Sequence, residues 1–291
     1  MAVYCFDSLC SLTVKNMMSR HPNGSWKLRE FASSALLAML LAVLIPNHAL
    51  AQTDCSEGNS VLEMTPPKNM TPQQLIEKFA VQEAKVKQAR TRYTYTRDLM
   101  IQTLNGTAVD GQMHEVTTVS YDDKGKRLEN VTFAEQSTLR GVQLTAEDWD
   151  DIRVFMPLIL TTEDLPQYNL AYAGQQHVDD LDTYVFHVEP KKVEKNARYF
   201  QGRVWVDNQD FEIVKLCGKS VPEIIPKKKN ESRDVRPTFV TYRQPVDGYW
   251  FPAFTKVDET LQFGAQSVHL REIIKFTGYK QAGTGAPAAK P

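Results

Sequence analysis

YFQGRVWVDNQDFEIVKLCGKS, Tyr199 to Ser220, sets aromatic and β-branched residues on either side of the turn-prone stretch Asn208 to Asp210. It reads as two strands, YFQGRVWVD and FEIVKL, folded back on each other. Downstream the same texture continues through TFVTYRQ, YWFPAFTKVDETL and SVHLREIIKF, with reversals at Asp247-Gly248 and Gly264. Upstream it covers NLAYAG and TYVFHVEP, separated by Asp180 to Asp182. Earlier still, RYTYTRDLMIQTL ends at Asn105-Gly106, HEVTTVSYDD ends near Gly125, and RLENVTF follows. The chain is therefore mainly β, with successive antiparallel strands.

Two segments break this texture. Thr71, Pro72 and Gln74 combine an N-cap, a proline at the first helical position and a capping-box partner, which predicts a helix from about Pro72 to Arg90. Leu75, Ile76, Phe79, Ala80, Val86 and Ala89 gather on one side, with Glu77, Lys78, Glu83, Lys85 and Lys87 expected to cover the rest. Between Thr145 and Leu160 a helical period returns at Trp149, Ile152, Met156 and Ile159. Pro157 cannot donate to the carbonyl of Arg153, so this helix ends or kinks there and leaves FMPLIL in irregular backbone.

The N-terminal region reads as an export signal. A basic segment (Arg20, Lys27, Arg29) precedes the 14-residue apolar run Ala32 to Ile45, Pro46 breaks it, and Ala49-Leu50-Ala51 supplies small residues for cleavage before Gln52. Crossing a bilayer takes about 20 apolar residues, so the run is short for an anchor. The expectation is a signal peptide over 1–51, with Met17 or Met18 as an alternative start, and a periplasmic mature protein. Residues 52–70, with Pro66-Pro67 and little apolar content, read as a flexible linker, and 278–291, rich in Gly, Ala and Pro, as a disordered tail. Cys55 and Cys217 are the only cysteines beyond the signal, and in an oxidising compartment they can pair. The alternative is two independent residues, with Cys217 packed as a small hydrophobe.

Composition excludes several functions. A formal net charge of -1 offers nothing that attracts nucleic acid in bulk. Gly218-Lys219-Ser220 resembles the end of a phosphate loop, but Ile213 stands where that motif needs glycine. His177 and His187, with Asp179, Asp180 and Asp182 between them, flank a hairpin and do not have metal-ligand spacing, so no metal and no cofactor is expected. No nucleophile elbow or C-x-x-C pair is present, and no catalytic residue is assigned. The Lys227, Lys228 and Lys229 loop could touch an anionic membrane surface, although such a loop is more often a solvated edge.

The Tyr199 to Ser220 run, with its W-V-D step, turn and returning strand, resembles the LolA/LolB-like superfamily of periplasmic lipoprotein-sorting proteins. The segment YRQPVDGYWFPAF, Tyr242 to Phe254, is similar to exported members of that group. The resemblance covers about residues 71–277. It implies a curved, incomplete antiparallel β-barrel covered by helices, with an apolar cavity between them that takes lipid or lipoprotein acyl chains and no catalytic residue. The alternative it implies is an envelope sensor module of the same fold that binds a protein partner. Strand alternation selects Tyr184, Phe186, Val204, Val206, Phe254, Leu270 and Ile274 as cavity walls, with Phe155 and Met156 near the mouth.

Overall fold

Ten strands form one open antiparallel sheet in the order β3-β2-β1-β10-β9-β8-β7-β6-β5-β4 in the computed structural model. The structure describes residues 53–194, 197–223, 235–263 and 265–282, all within the unit Leu50–Pro291. The expected signal peptide, the Lys227 to Lys229 loop and most of the expected tail lie outside the described residues. The strands are β1 (Tyr93–Asn105), β2 (Ala108–Tyr121), β3 (Arg127–Ala134), β4 (Tyr168–Val178), β5 (Leu181–Pro190), β6 (Tyr199–Asp207), β7 (Ile213–Val221), β8 (Phe239–Val246), β9 (Tyr249–Phe263) and β10 (Gln266–Gln281). Every neighbour pair is a sequence neighbour except β1 and β10, which run antiparallel from Tyr93 opposite Gln281 to Leu104 opposite His269. The result is mainly β and antiparallel, as the strand pattern predicts, and curved and unclosed, as the resemblance implies.

Local chemistry sets the reversals. Asp247 and Gly248 both have positive φ, 50° and 84°, which a two-residue hairpin turn between β8 and β9 requires. In the W-V-D step, the Asp207 carboxylate accepts from the backbone N–H of Gln209 (2.9 Å) and Asp210 (2.6 Å), which closes the β6–β7 turn. β7 starts at Ile213, two residues later than the FEIVKL reading, because Phe211 takes a positive φ and Glu212 turns inward to bond the Trp250 N–H.

Helix α1 (Pro72–Arg90) carries the full capping box: Thr71 Oγ1 accepts from Gln74 N–H, and the Gln74 side chain accepts from Thr71 N–H. Leu75, Ile76, Phe79 and Ala80 pack into the main core against the sheet's inner face. Val86 and Ala89 meet Tyr93 and Phe251 in a smaller cluster at the helix end. Glu83, expected on the solvent face, is fully buried. It sits among apolar neighbours because Arg243 of β8 grips both its carboxylate oxygens, at 2.8 and 3.0 Å, and the Ile213 N–H adds a third bond.

Residues 53–65 do not behave as a linker. Asn59 bridges to Val178 and Glu63 to Gln175, and Thr53 Oγ1 donates to the Thr238 carbonyl. Cys55 is bonded to Cys217, with Cα atoms 5.7 Å apart. This strap covers Ala173, Val185, Trp205, Val214 and Val240 on the outer face. Beneath it Lys215, fully buried, donates to the Glu57 carbonyl and Asn59 Oδ1, both at 2.7 Å, and lies over the Trp205 and Tyr242 rings. At the other end β10 continues to Gln281, past the expected boundary at 277, because Tyr279 packs on Tyr95 and Phe251.

Candidate functional site

The helical interruption builds the site. Thr145 caps the short helix α2 (Ala146–Asp150): its Oγ1 accepts from Asp148 N–H, and its own N–H donates to Asp148 Oδ2 at 2.7 Å. The chain then widens into one π-helical turn, Asp151–Phe155, closed by Met156 N–H donating to the Asp151 carbonyl at 2.9 Å. The helix stops before Pro157, as the sequence requires. The irregular backbone that follows is tied down. The carbonyls of Met156, Pro157 and Leu158 accept in turn from Thr241 Oγ1 (2.8 Å), Arg90 (3.4 Å) and Arg243.

Between this segment and the inner face of β9 and β10 lies a cavity of about 680 Å³. Its apolar wall includes Val142, Leu144, Ile152, Met156, Leu261, Phe263 and Leu270. Its charged lining residues are Glu147, Asp148, Asp151, Arg198, Arg236 and Glu272. Arg236 donates to Asp148 Oδ1 (2.6 Å) and Asp151 Oδ2 (3.1 Å). Asp151 Oδ2 also accepts from Arg198 (3.0 Å) and Ser220 Oγ (2.7 Å). Burial pushes the Asp151 carboxyl above its ordinary pKa, while Ser220, Arg198 and Arg236 pull it back.

Glu272 occupies an inward position of β10 between Leu270 and Ile274. Its carboxyl is pushed up to about 8, first by burial and then by the charges of Asp148 and Asp151, against a lowering pull from Arg97. It is therefore the neutral acid at pH 7. Its Oε1 and the Asp151 Oδ1 are buried and accept no hydrogen bond.

The nine residues selected from the sequence divide four ways. Met156 and Leu270 line the cavity. Tyr184, Phe186, Val204, Val206 and Ile274 belong to the filled core, where Phe186 packs on Phe79 at 5.5 Å between ring centroids. Phe155 packs half-buried against that core without lining the cavity. Phe254 is on the other side of the sheet: it faces Tyr242 in register, whereas its neighbour Thr255 points inward to Thr241. A one-residue offset in the assumed face accounts for this. Sequence reasoning selected none of Asp148, Asp151, Arg198, Arg236 and Glu272. The carboxylates from Glu147 to Asp151 read as favourable charge in the first turns of a helix, and the spacing of Glu272 from Leu270 and Ile274 puts it on the apolar face. Among the described residues no three His, Cys, Asp or Glu side chains gather as a metal site.

No family model and no curated protein matches this chain. Solved structures do. The chain is similar to a DUF1329 family protein from Desulfovibrio piger ATCC 29098 (TM-score 0.42, 17% identity, covering 73% of this chain and 94% of that one). It is also similar to a LolA superfamily protein from Nitrosomonas europaea (TM-score 0.34, 13% identity, 74% and 96% covered). A third is MucB in complex with MucA(peri), with a TM-score of 0.23, 7% identity, and 72% and 99% covered. No helix among the described residues is long and apolar enough to cross a membrane.

Proposed function

We propose that this protein is a non-catalytic periplasmic binding protein that holds the acyl chain of a lipid or lipoprotein between its curved sheet and the α2 segment. The cavity carries this reading: about 680 Å³ falls within the ~300–1,000 Å³ usual for small-molecule sites, and apolar side chains line it from both the α2 segment and the sheet. Each methylene buried there contributes roughly 0.8 kcal/mol, so ten give on the order of 8 kcal/mol before the costs of ordering the ligand. That is sufficient for binding without a covalent anchor. The export signal read over residues 1–51 supplies the compartment.

Titration of the purified protein with a fluorescent fatty acid tests the reading. Saturable binding is expected, weakened at least tenfold in Met156→Asp and Leu270→Asp proteins that keep the β-sheet circular dichroism. Absence of saturable binding by the unmodified protein would overturn it.

A further inference from the structure

We propose that the polar end of the cavity selects an amphiphile with a primary ammonium head, held between the carboxyl groups of Glu272 and Asp151. This rests on the cavity being a chain-binding site and names the class of ligand it takes. Both residues line the cavity, both are more than nine-tenths buried, and each leaves one carboxyl oxygen without a hydrogen bond. Buried oxygens in that state favour a ligand that donates.

Charge bookkeeping identifies the donor. The negative charges of Asp148 and Asp151 are matched by Arg198 and Arg236, whose guanidinium groups already donate to those carboxylates. Glu272 is the buried group left over, since Glu147, which also lines the cavity, is exposed. Facing it are Asp148 and Asp151 from the α2 segment and Arg97 from β1. An anionic head would have to compete with Asp148 and Asp151 for the two arginines. An ammonium instead has three N–H donors for two accepting oxygens, and its charge turns Glu272 from neutral acid to carboxylate. The proton lost by Glu272 goes to solvent, so charge balances without any other group titrating. A compact metal ion is the poorer match, because no three ligands gather among the described residues.

Calorimetric titrations at pH 7 with dodecylamine, 1-dodecanol and dodecanoic acid, repeated in buffers of different ionisation enthalpy, test this. The amine is expected to bind about 10- to 100-fold tighter than the alcohol or the acid and to release close to one proton per molecule. Glu272→Gln should abolish the release and most of the preference. The proton count on the unmodified protein stands even if that variant fails to fold. Equal or tighter binding of the acid or alcohol, or amine binding without proton release, overturns the ammonium site and leaves the chain-binding cavity intact. No binding of any of the three overturns the cavity reading itself.

Discussion

Glu83 and Arg243, 160 residues apart, meet as a forked ion pair that water does not reach, at 2.8 and 3.0 Å. The pair fastens α1 to β8, and the same guanidinium holds the Leu158 carbonyl behind the cavity wall. Breaking it from one side leaves a charge buried without its partner. Glu83→Ala is expected to lower stability by about 3 to 5 kcal/mol, whereas Glu83→Leu with Arg243→Met should recover much of the loss. Urea unfolding of the single and double variants measures both.

The Cys55–Cys217 bond closes a span of 162 residues. In the chain-entropy account a loop of that size contributes about 5 kcal/mol. Cys55→Ser with Cys217→Ser should lower the unfolding midpoint accordingly. Hydrogen exchange should also rise first over residues 53–65, where the strap rests on the outer face. Unchanged stability in the variant would show that the strap's own contacts suffice.

Stability should depend on pH through Glu272. Its folded-state pKa of about 8 lies above its ordinary value of 4.5, so between these limits the folded protein holds a proton that the unfolded chain has lost. The contribution of the neutral acid is complete below pH 4.5 and is lost as pH rises toward 8, a decline on the order of a few kcal/mol. Glu212, raised to about 7 by burial, acts in the same direction. Lys215, lowered to about 8 by burial, changes stability only above that pH and with the opposite sign. Unfolding free energies from pH 5 to 7.5 should therefore fall in the unmodified protein and fall less in Glu272→Gln.

Gly202 and Gly218 face each other across β6 and β7. A methyl group at Gly202 would collide with the Cys217 carbonyl and stand 2.6 Å from Gly218 Cα, while the Phe200 ring lies 2.8 Å from either added carbon. Gly202→Ala or Gly218→Ala should cost about 1 to 3 kcal/mol or more. A lower urea midpoint with unchanged slope would identify lost packing as the cause. Gly218, which looks like part of a phosphate loop, is there to let two strands approach beneath a phenyl ring.

The sequence disclosed local structure far better than it disclosed what faces what. Thr71, Pro72 and Gln74 specify the start of α1 by their own hydrogen bonds, and Asp247-Gly248 specifies a turn by its backbone, so both were legible. Glu83 was not, because its burial depends on Arg243, and no periodicity within α1 reports a partner on a distant strand. Alternation in β6 picked Val204 and Val206 as inward, which they are, but it could not separate filled core from cavity wall. That distinction depends on where α2 stands off the sheet. The strap was read as linker because the bonds that fix it in place run from its polar residues to β4, β7 and other strands distant in sequence.

The bond between Cys55 and Cys217 also determines how the molecule carries mechanical load. Tension applied to the residues before Cys55 passes through sulfur into the middle of β7, bypassing α1 and the first strands. With the bond reduced, the same tension peels the strap away and arrives at Thr71 and then at Tyr93, the end of the β1–β10 ladder, where rungs open one at a time. The oxidised chain thus keeps that load off the β1–β10 ladder. In a pulling experiment full extension should fall short of the reduced chain by roughly 550 Å, the length of 162 extended residues.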